Sequence, residues 1–377
     1  MEGKLQGLRI AWLLDNFPNP YQVYIKNLVN NLRRIYGLNI TIVTYRSTGA
    51  NRDIDNPIKL IKLENRFEQY FNGLIGRSNT KAENYLADFD LIHVQHSFMY
   101  PFISRIARSD SKSKFVITFR GADSYIKPWI SDQWKKYHHE IGSNFHAIQV
   151  MSRNQGEYLS KWGYGLEKIH IIPISTSTVE AEYIDCSING KLNICSVFRM
   201  TWEKNIEANL RFIKLLKESG IEVKYNVFGD GTDFGQLYYL IDRFGLEKEV
   251  KIYGRVVPSV LSSEIKNNHF MLQLSSSEAL PASIIEAMSF GIPCIVSDVG
   301  GLPEIVHSNE NGFVIDFNNY DLSSGVAFVL KVLENNTFYK KLKIGAFEAF
   351  KQQFSPEIET EKVYTMYCSV FKSDGKV

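Results

Sequence analysis

Two carboxylates eight positions apart, Glu278 and Glu286, bracket a Leu-Pro step in SSSEALPASIIEAMSFGIP, residues 275–293. A helix is expected to begin near Pro281, because a missing amide hydrogen costs nothing at the first helical position. Gly291 falls where that helix would stop. Leu280, Ala282 and Ser283 would then offer N–H groups without helical partners, and small residues there leave room for an anion. Upstream, Arg199 and Lys204 follow an apolar run, and cations of this kind close on phosphate as charge-assisted donors. A carboxylate can accept from two neighbouring hydroxyls. Glu278 and Glu286 on either side of a phosphate site therefore suit a hexose and a ribose, which together spell a nucleotide sugar. Helix-start acids and solvated surface charge are the plain alternative.

The elements that must hold these residues alternate along the chain. LRIAWLL, NITIVTY, DLIHVQH, FVITFRG, HAIQVMS and KIHIIPI read as short buried strands, and PYQVYIKNLVNNLRRIYG has helical spacing. The Ser/Thr-rich stretch STSTVEAEYIDCSINGK then breaks the pattern as a linker. Alternation resumes with strands LNICSVF, EVKYNVFG, VKIYG, HFMLQLS, PCIVSD and GFVID, with helices expected over 205–219, 234–244 and 257–267. Such alternation predicts parallel sheets with helices on both faces, and two runs of it predict two Rossmann-like domains facing each other across a cleft. The expected bounds are 1–175, a linker over 176–190, and 191–355, followed by a periodic C-terminal helix over 356–377. Ligands bind outside the carboxyl ends of such strands. That rule adds Gly229-Asp230-Gly231, Gly254-Arg255-Val256 and Ser275–Ser277 to the candidate site.

At 377 residues, 44% hydrophobic and 22% charged, the chain suits two globular domains. Its four cysteines show no CxxC spacing, which argues against zinc and against a disulfide framework. The first apolar run is short for a signal peptide, and no stretch is long enough for a transmembrane helix, so a cytoplasmic protein is expected. Through Lys168 there are 23 Lys and Arg against 15 Asp and Glu; the remainder has 20 against 26. The basic N-terminal half suits phosphates or peripheral contact with a membrane surface, and solvated charge would give the same imbalance. The helix from Tyr21 to Tyr36, with Lys26, Arg33 and Arg34, reads equally as a membrane-facing or an ordinary solvated helix. His93 and His96 alternate on a strand, and at least one is expected to be a satisfied interior histidine. For Arg120 and Asp123, pairing with each other at the strand end is the plain alternative to a site role. No nucleic-acid partner is expected.

EALPASIIEAMSFGIPCIVSDVGGLPEIV resembles the E-x7-E block of the family 4 retaining glycosyltransferases, which have the GT-B fold. FRMTWEKN (198–205), VFGDGTD (227–233), VKIYGRV (250–256) and NGFVID (311–316) resemble its companion blocks, and VITFRGADSY and VMSRNQGEYL resemble those of its N-terminal domain. The resemblance implies transfer of a sugar, with retention of configuration, from a UDP- or GDP-linked donor to a glycan or lipid-linked acceptor in surface polysaccharide assembly. It implies no cofactor and no required metal. Arg199 and Lys204 would clamp the diphosphate, Glu278 would hold the donor sugar and Glu286 the ribose, while Gly229, Asp230 and Val256 would lie near the base. The N-terminal domain would face the acceptor, and the last helix would cross back to it. An inactive nucleotide-sugar-binding protein, or a synthase or phosphorylase of the same fold, is the alternative. Five departures stand out. Ala279, Phe198 and Asn205 replace usual glycines, the first-strand loop lacks a Gly-Gly pair, and Arg120 replaces a His that would touch the sugar. That last change would suit an acidic sugar or a phosphate.

Overall fold

The computed structural model describes residues 5–17, 23–46, 58–60, 80–108, 111–175 and 181–372. The first-strand loop noted above falls at 18–22, outside them. The chain divides into two compact units, Met1–Pro173 with Pro356–Val377, and Ile174–Ser355.

In the first unit, β1 (Arg9–Asn16), β2 (Asn39–Arg46), β3 (Ile58–Leu60), β4 (Leu91–Val94), β5 (Lys114–Thr118), β6 (Ala147–Val150) and β7 (Ile169–Ile171) form a parallel sheet among the described residues, ordered 3-2-1-4-5-6-7. These strands read as unbroken apolar runs because both faces are covered. Ala11, Leu13, Ile92, Val94 and Ile117 enter one core, and Ile10, Trp12, Leu14, Ile42 and Val116 enter the other. Helix Val23–Tyr36 adds Ile25, Leu28, Val29 and Leu32 to the second core, joined there by Val363, Met366 and Tyr367 of helix Pro356–Lys372. Tyr36 stacks on Tyr364 at 3.8 Å. Arg33 turns back to donate to the Ile40 carbonyl, so this cation is engaged within its own unit.

A buried chain of hydrogen bonds ties the last helix to the sheet. Thr118 Oγ1 donates to Gln149 Oε1 at 3.0 Å, so it must accept from His93 Nε2 at 2.8 Å. The His93 Nδ1 is then the acceptor for Tyr367 Oη at 2.6 Å. His93 is thus a satisfied interior histidine. Burial, helped by the nearby Arg120, pushes its protonation down to about 3.

In the second unit, β8 (Leu192–Val197), β9 (Val223–Phe228), β10 (Val250–Gly254), β11 (Phe270–Gln273), β12 (Cys294–Ser297) and β13 (Gly312–Ile315) pair in parallel, ordered 10-9-8-11-12-13 among the described residues. The order reverses between β8 and β11, and the loops leaving those two strands bound the crevice where this topology takes ligands. Helix Ile206–Glu218 is capped by Asn205, whose side chain accepts from the Ala208 amide. Asn205 sits at φ 48°, and asparagine is among the few non-glycine residues that tolerate that region. Asparagine in place of the family glycine is therefore conformationally conservative.

Helix Ala282–Ser289 begins one residue later than the sequence suggests, with Pro281 as its N-cap in extended conformation. The last turn closes into Gly291 at φ 67°. Of the stretch read as a linker, residues 181–190 are described. Glu182 and Ile184 donate their amides to the carbonyls of Ser289 and Phe290, at the end of that helix. Among the described residues, no helix is long and apolar enough to cross a membrane.

Candidate functional site

The turn after β9 is pressed against the loop after β8. Met200 donates its amide to the Asp230 carbonyl at 2.8 Å, and Asp233 donates to the Met200 carbonyl at 2.9 Å. A Cβ on Gly229 would lie 2.0 Å from the Phe198 carbonyl oxygen, and one on Gly231 would lie 2.2 Å from that of Met200. Both positions require glycine because another backbone passes there, and Gly229 also has φ 115°. The Gly229 amide continues the contact to the Gly254 carbonyl at 2.8 Å, and Asp230 pairs with Arg255 at 3.1 Å. Val256 follows, half-buried.

Lys204 and Glu278 meet across the β8 and β11 loops. The Lys204 Nζ donates to Glu278 Oε2, and their side chains are 15% and 11% exposed. Gln273, the last residue of β11, donates from Nε2 to the same carboxylate at 2.9 Å, and its Oε1 accepts from Ser283 Oγ at 3.1 Å. Asn209 staples the two loops together. Its Oδ1 accepts from the Leu274 amide at 3.1 Å, and its Nδ2 donates to the carbonyls of Lys204 and Asn205. The Ser276 amide donates to the Glu203 carbonyl at 2.8 Å.

Behind Glu278, Gly300 approaches so closely that a Cβ would lie 1.7 Å from the Glu278 carbonyl oxygen. Ala279 is buried and is not among the residues with positive φ, so no glycine is needed where the family has one. Arg199 is far less enclosed, its side chain 69% exposed and 3.3 Å from Glu203. Lys204 is therefore placed beforehand, whereas Arg199 is held only at its tip.

Glu286 stands in the second turn of helix Ala282–Ser289 and accepts from Ser262 Oγ at 2.7 Å. Burial pushes its carboxyl above the usual range, with Ser262 opposing. Leu280 is buried, Ser283 half-buried and Ala282 exposed at the helix start. The two glutamates thus reach different partners within one unit, Lys204 for Glu278 and Ser262 for Glu286.

Arg120 lies in the first unit, just beyond β5. Its guanidinium donates to the Gln95 side-chain oxygen at 3.1 Å and lies 5.2 Å from the centroid of the Tyr24 ring. The alternative, a side-chain pairing with Asp123, is absent. Asp123 instead accepts from the main-chain amides of Arg120 and Gly121 and from Ser97 Oγ. The reason is local, since a carboxylate in the first turn of a helix satisfies amides that have no helical partner. Burial, together with Arg120, also pushes His96 down to about 3. Among the described residues, no group of three or more His, Cys, Asp or Glu side chains could hold a metal ion.

Gln273, Asn209 and Ser262 do not stand out in the sequence pattern. A signal existed for the first two: Gln273 is a polar residue in a buried strand, and Asn209 is buried on the apolar side of its helix.

The family model for glycosyl transferases group 1 matches residues 187–348, and the model for Glycosyltransferase Family 4 matches 21–177. N-acetyl-alpha-D-glucosaminyl L-malate synthase of Bacillus anthracis is 27% identical over 169 residues, 44% of this chain and 42% of that protein. The amylovoran biosynthesis glycosyltransferase AmsK of Erwinia amylovora is 25% identical over 213 residues, 54% of this chain and 51% of that protein. The chain thus spans about half the length of these relatives. The structure of Anabaena HepE in complex with UDP-glucose covers 96% of this chain and 100% of its own, with a TM-score of 0.78 at 14% identity, a likeness of fold.

Proposed function

Because the chain belongs to glycosyltransferase family 4 and has the GT-B fold of two Rossmann-like domains, we propose that it transfers a sugar from a UDP- or GDP-linked donor to a glycan or lipid-linked acceptor in polysaccharide assembly. The observation that supports this reading best is the Lys204–Glu278 pair, set at the strand-order reversal between β8 and β11. A cation and a carboxylate held side by side there match a diphosphate next to a hexose. Glu286 would take the ribose, with Gly229, Asp230 and Val256 near the base. The first-turn amides of helix Ala282–Ser289, with Leu280 just ahead of them, would face phosphate or sugar oxygens.

The proposed reaction retains anomeric configuration. The acceptor hydroxyl attacks the anomeric carbon on the face from which the diphosphate departs, the bond from that carbon to the diphosphate oxygen breaks, and a diphosphate oxygen takes up the hydroxyl proton. Lys204 and Arg199 stabilise the charge that develops on the leaving group. In this reading the two cations do that work without a required metal, and turnover in excess chelator tests it. Arg120 is proposed to contact an anionic group on the sugar.

Peripheral contact with the cytoplasmic face of a membrane is part of the proposal. Trp129 and Ile130 are 61% and 69% exposed on helix Lys127–Ile130. Lys127 is exposed beside them, and Lys161 lies over the ring of Tyr158, whose hydroxyl accepts from Trp129 Nε1. Exposed apolar groups beside two lysines suit an anionic lipid surface. Sedimentation with phosphatidylglycerol vesicles that is unaffected by Trp129→Ser with Ile130→Ser would remove this part.

The main reading is tested by incubating the purified protein with a panel of UDP- and GDP-sugars and detecting released nucleotide. Release that disappears in Lys204→Ala supports it. Nucleotide binding without any release, with or without candidate acceptors, would favour an inactive binding protein.

A further inference from the structure

Cys186 and Lys343 form a pair outside the proposed sugar site. Lys343, in helix Asn336–Gln353, is 0% exposed, and its Nζ lies 3.0 Å from Cys186 Sγ. The rings of Tyr339 and Tyr183 flank the ammonium at 5.4 and 5.8 Å. Tyr339 Oη donates to the His269 carbonyl, and burial followed by Lys343 pushes the His269 ring down to about 4, so it carries no charge near neutrality. Asp185 is directed to Lys340 at 3.8 Å. Among the described residues, Cys186 sulfur is therefore the one hydrogen-bond partner of Lys343, and no carboxylate reaches it.

A buried ammonium with no counter-charge is strongly disfavoured. The Cys186 sulfur, 3.0 Å from Nζ, is the group placed to offset that cost, and a cation beside a cysteine sulfur favours nucleophilic attack by it. Cys186 is also partly exposed, whereas Cys195, Cys294 and Cys368 are buried. Burial pushes the Cys195 and Cys294 thiols up, away from reactivity.

We propose that Cys186, activated by Lys343, is a modification site for small disulfides. The Cys186 sulfur attacks one sulfur of the disulfide, forming a mixed disulfide as the original S–S bond breaks. The proton that Cys186 gives up ends on the departing sulfur, which leaves as a thiol. The disulfide is reduced as Cys186 is oxidised, so no other oxidant is needed. This inference does not depend on the sugar-transfer reading.

The test uses the full chain under native conditions with glutathione disulfide and with an aromatic disulfide reagent, and locates adducts by peptide mass spectrometry. One fast thiol per chain is expected, at Cys186. Its rate should fall at least about tenfold in Lys343→Met while the urea-unfolded variant reacts like the unfolded parent. Lys343→Arg, which keeps the cation, should retain more of the rate. If Lys343→Met does not fold, the parent decides by comparison with itself in urea. Exchange at Cys186 should be at least about tenfold faster in the folded chain than at the same cysteine in the unfolded one. No fast native thiol, an adduct at another cysteine, an unchanged rate in folded Lys343→Met, or equal rates at Cys186 in the folded and unfolded parent would each overturn the proposal.

Discussion

Lys204 cannot serve Glu278 and a diphosphate equally, and this sets up a counterintuitive expectation for Glu278→Gln. Without donor, the Lys204 ammonium is engaged by a carboxylate only 11% exposed, which also keeps the Gln273 amide at 2.9 Å. A bare nucleotide diphosphate must compete for that ammonium and bring its own negative charge near Glu278. A charge-assisted bond contributes roughly 1.5–3 kcal/mol. Residual exposure of both groups lowers the usable part to about 1.4 kcal/mol, which is about tenfold in affinity.

Glu278→Gln keeps the side chain's shape and removes the charge. Calorimetric titration should therefore show UDP or GDP binding tightened about tenfold, while transfer from the full donor falls by roughly 100-fold or more, as when one stabilising contact is lost. Lys204→Met should weaken the nucleotide and the donor together. If Glu278→Gln weakens bare nucleotide as much as Lys204→Met does, the competition argument is wrong. The pair would then be a structural staple that happens to border the crevice.

Three further outcomes follow. Gly300→Ala places a methyl 1.7 Å from the Glu278 carbonyl at φ 59°. It should cost at least ~1–2 kcal/mol and depress transfer more than nucleotide binding; a Tm and rate equal to the parent's would contradict the close approach. His93 is held neutral when folded, titrating at about 3, against about 6.5 when unfolded. Its contribution is thus complete above about pH 6.5 and is lost as pH falls toward 3, reaching about 2 kcal/mol of loss at pH 5. Tm measured from pH 7 to 5 should fall, and His93→Gln should flatten that fall; equal slopes would show that other groups govern it. Arg120→His should lower kcat/KM about tenfold for a carboxylate-bearing donor relative to its neutral counterpart, and an unchanged donor preference would refute the assigned role.

The alternation of buried runs and helical spacing was enough to lay out two parallel sheets, because strands covered on both faces leave a continuous apolar signature. The positions just after those strands were legible for the same reason. Boundaries were less so: Pro281 caps its helix from outside, a shift of one residue that composition cannot resolve. The three-residue β3, in a charged stretch, left no periodicity to read.

What the sequence determined by itself was the inventory of chemistry, cations and carboxylates at strand ends, and the order in which the chain delivers them. Which of them meet is fixed by the fold. Lys204 and Glu278 are 74 residues apart, and Asn209 reaches Leu274 across 65. Such pairings follow from sheet order rather than from local spacing. Gly229 and Gly231 were visible at a strand end, but the carbonyls that forbid a side chain there come from a remote loop. Arg120 and Asp123 lie three positions apart and look like an ion pair, yet unpartnered main-chain amides claim the carboxylate first. Buried polar atoms must find partners wherever the fold brings them, and that demand is settled in three dimensions.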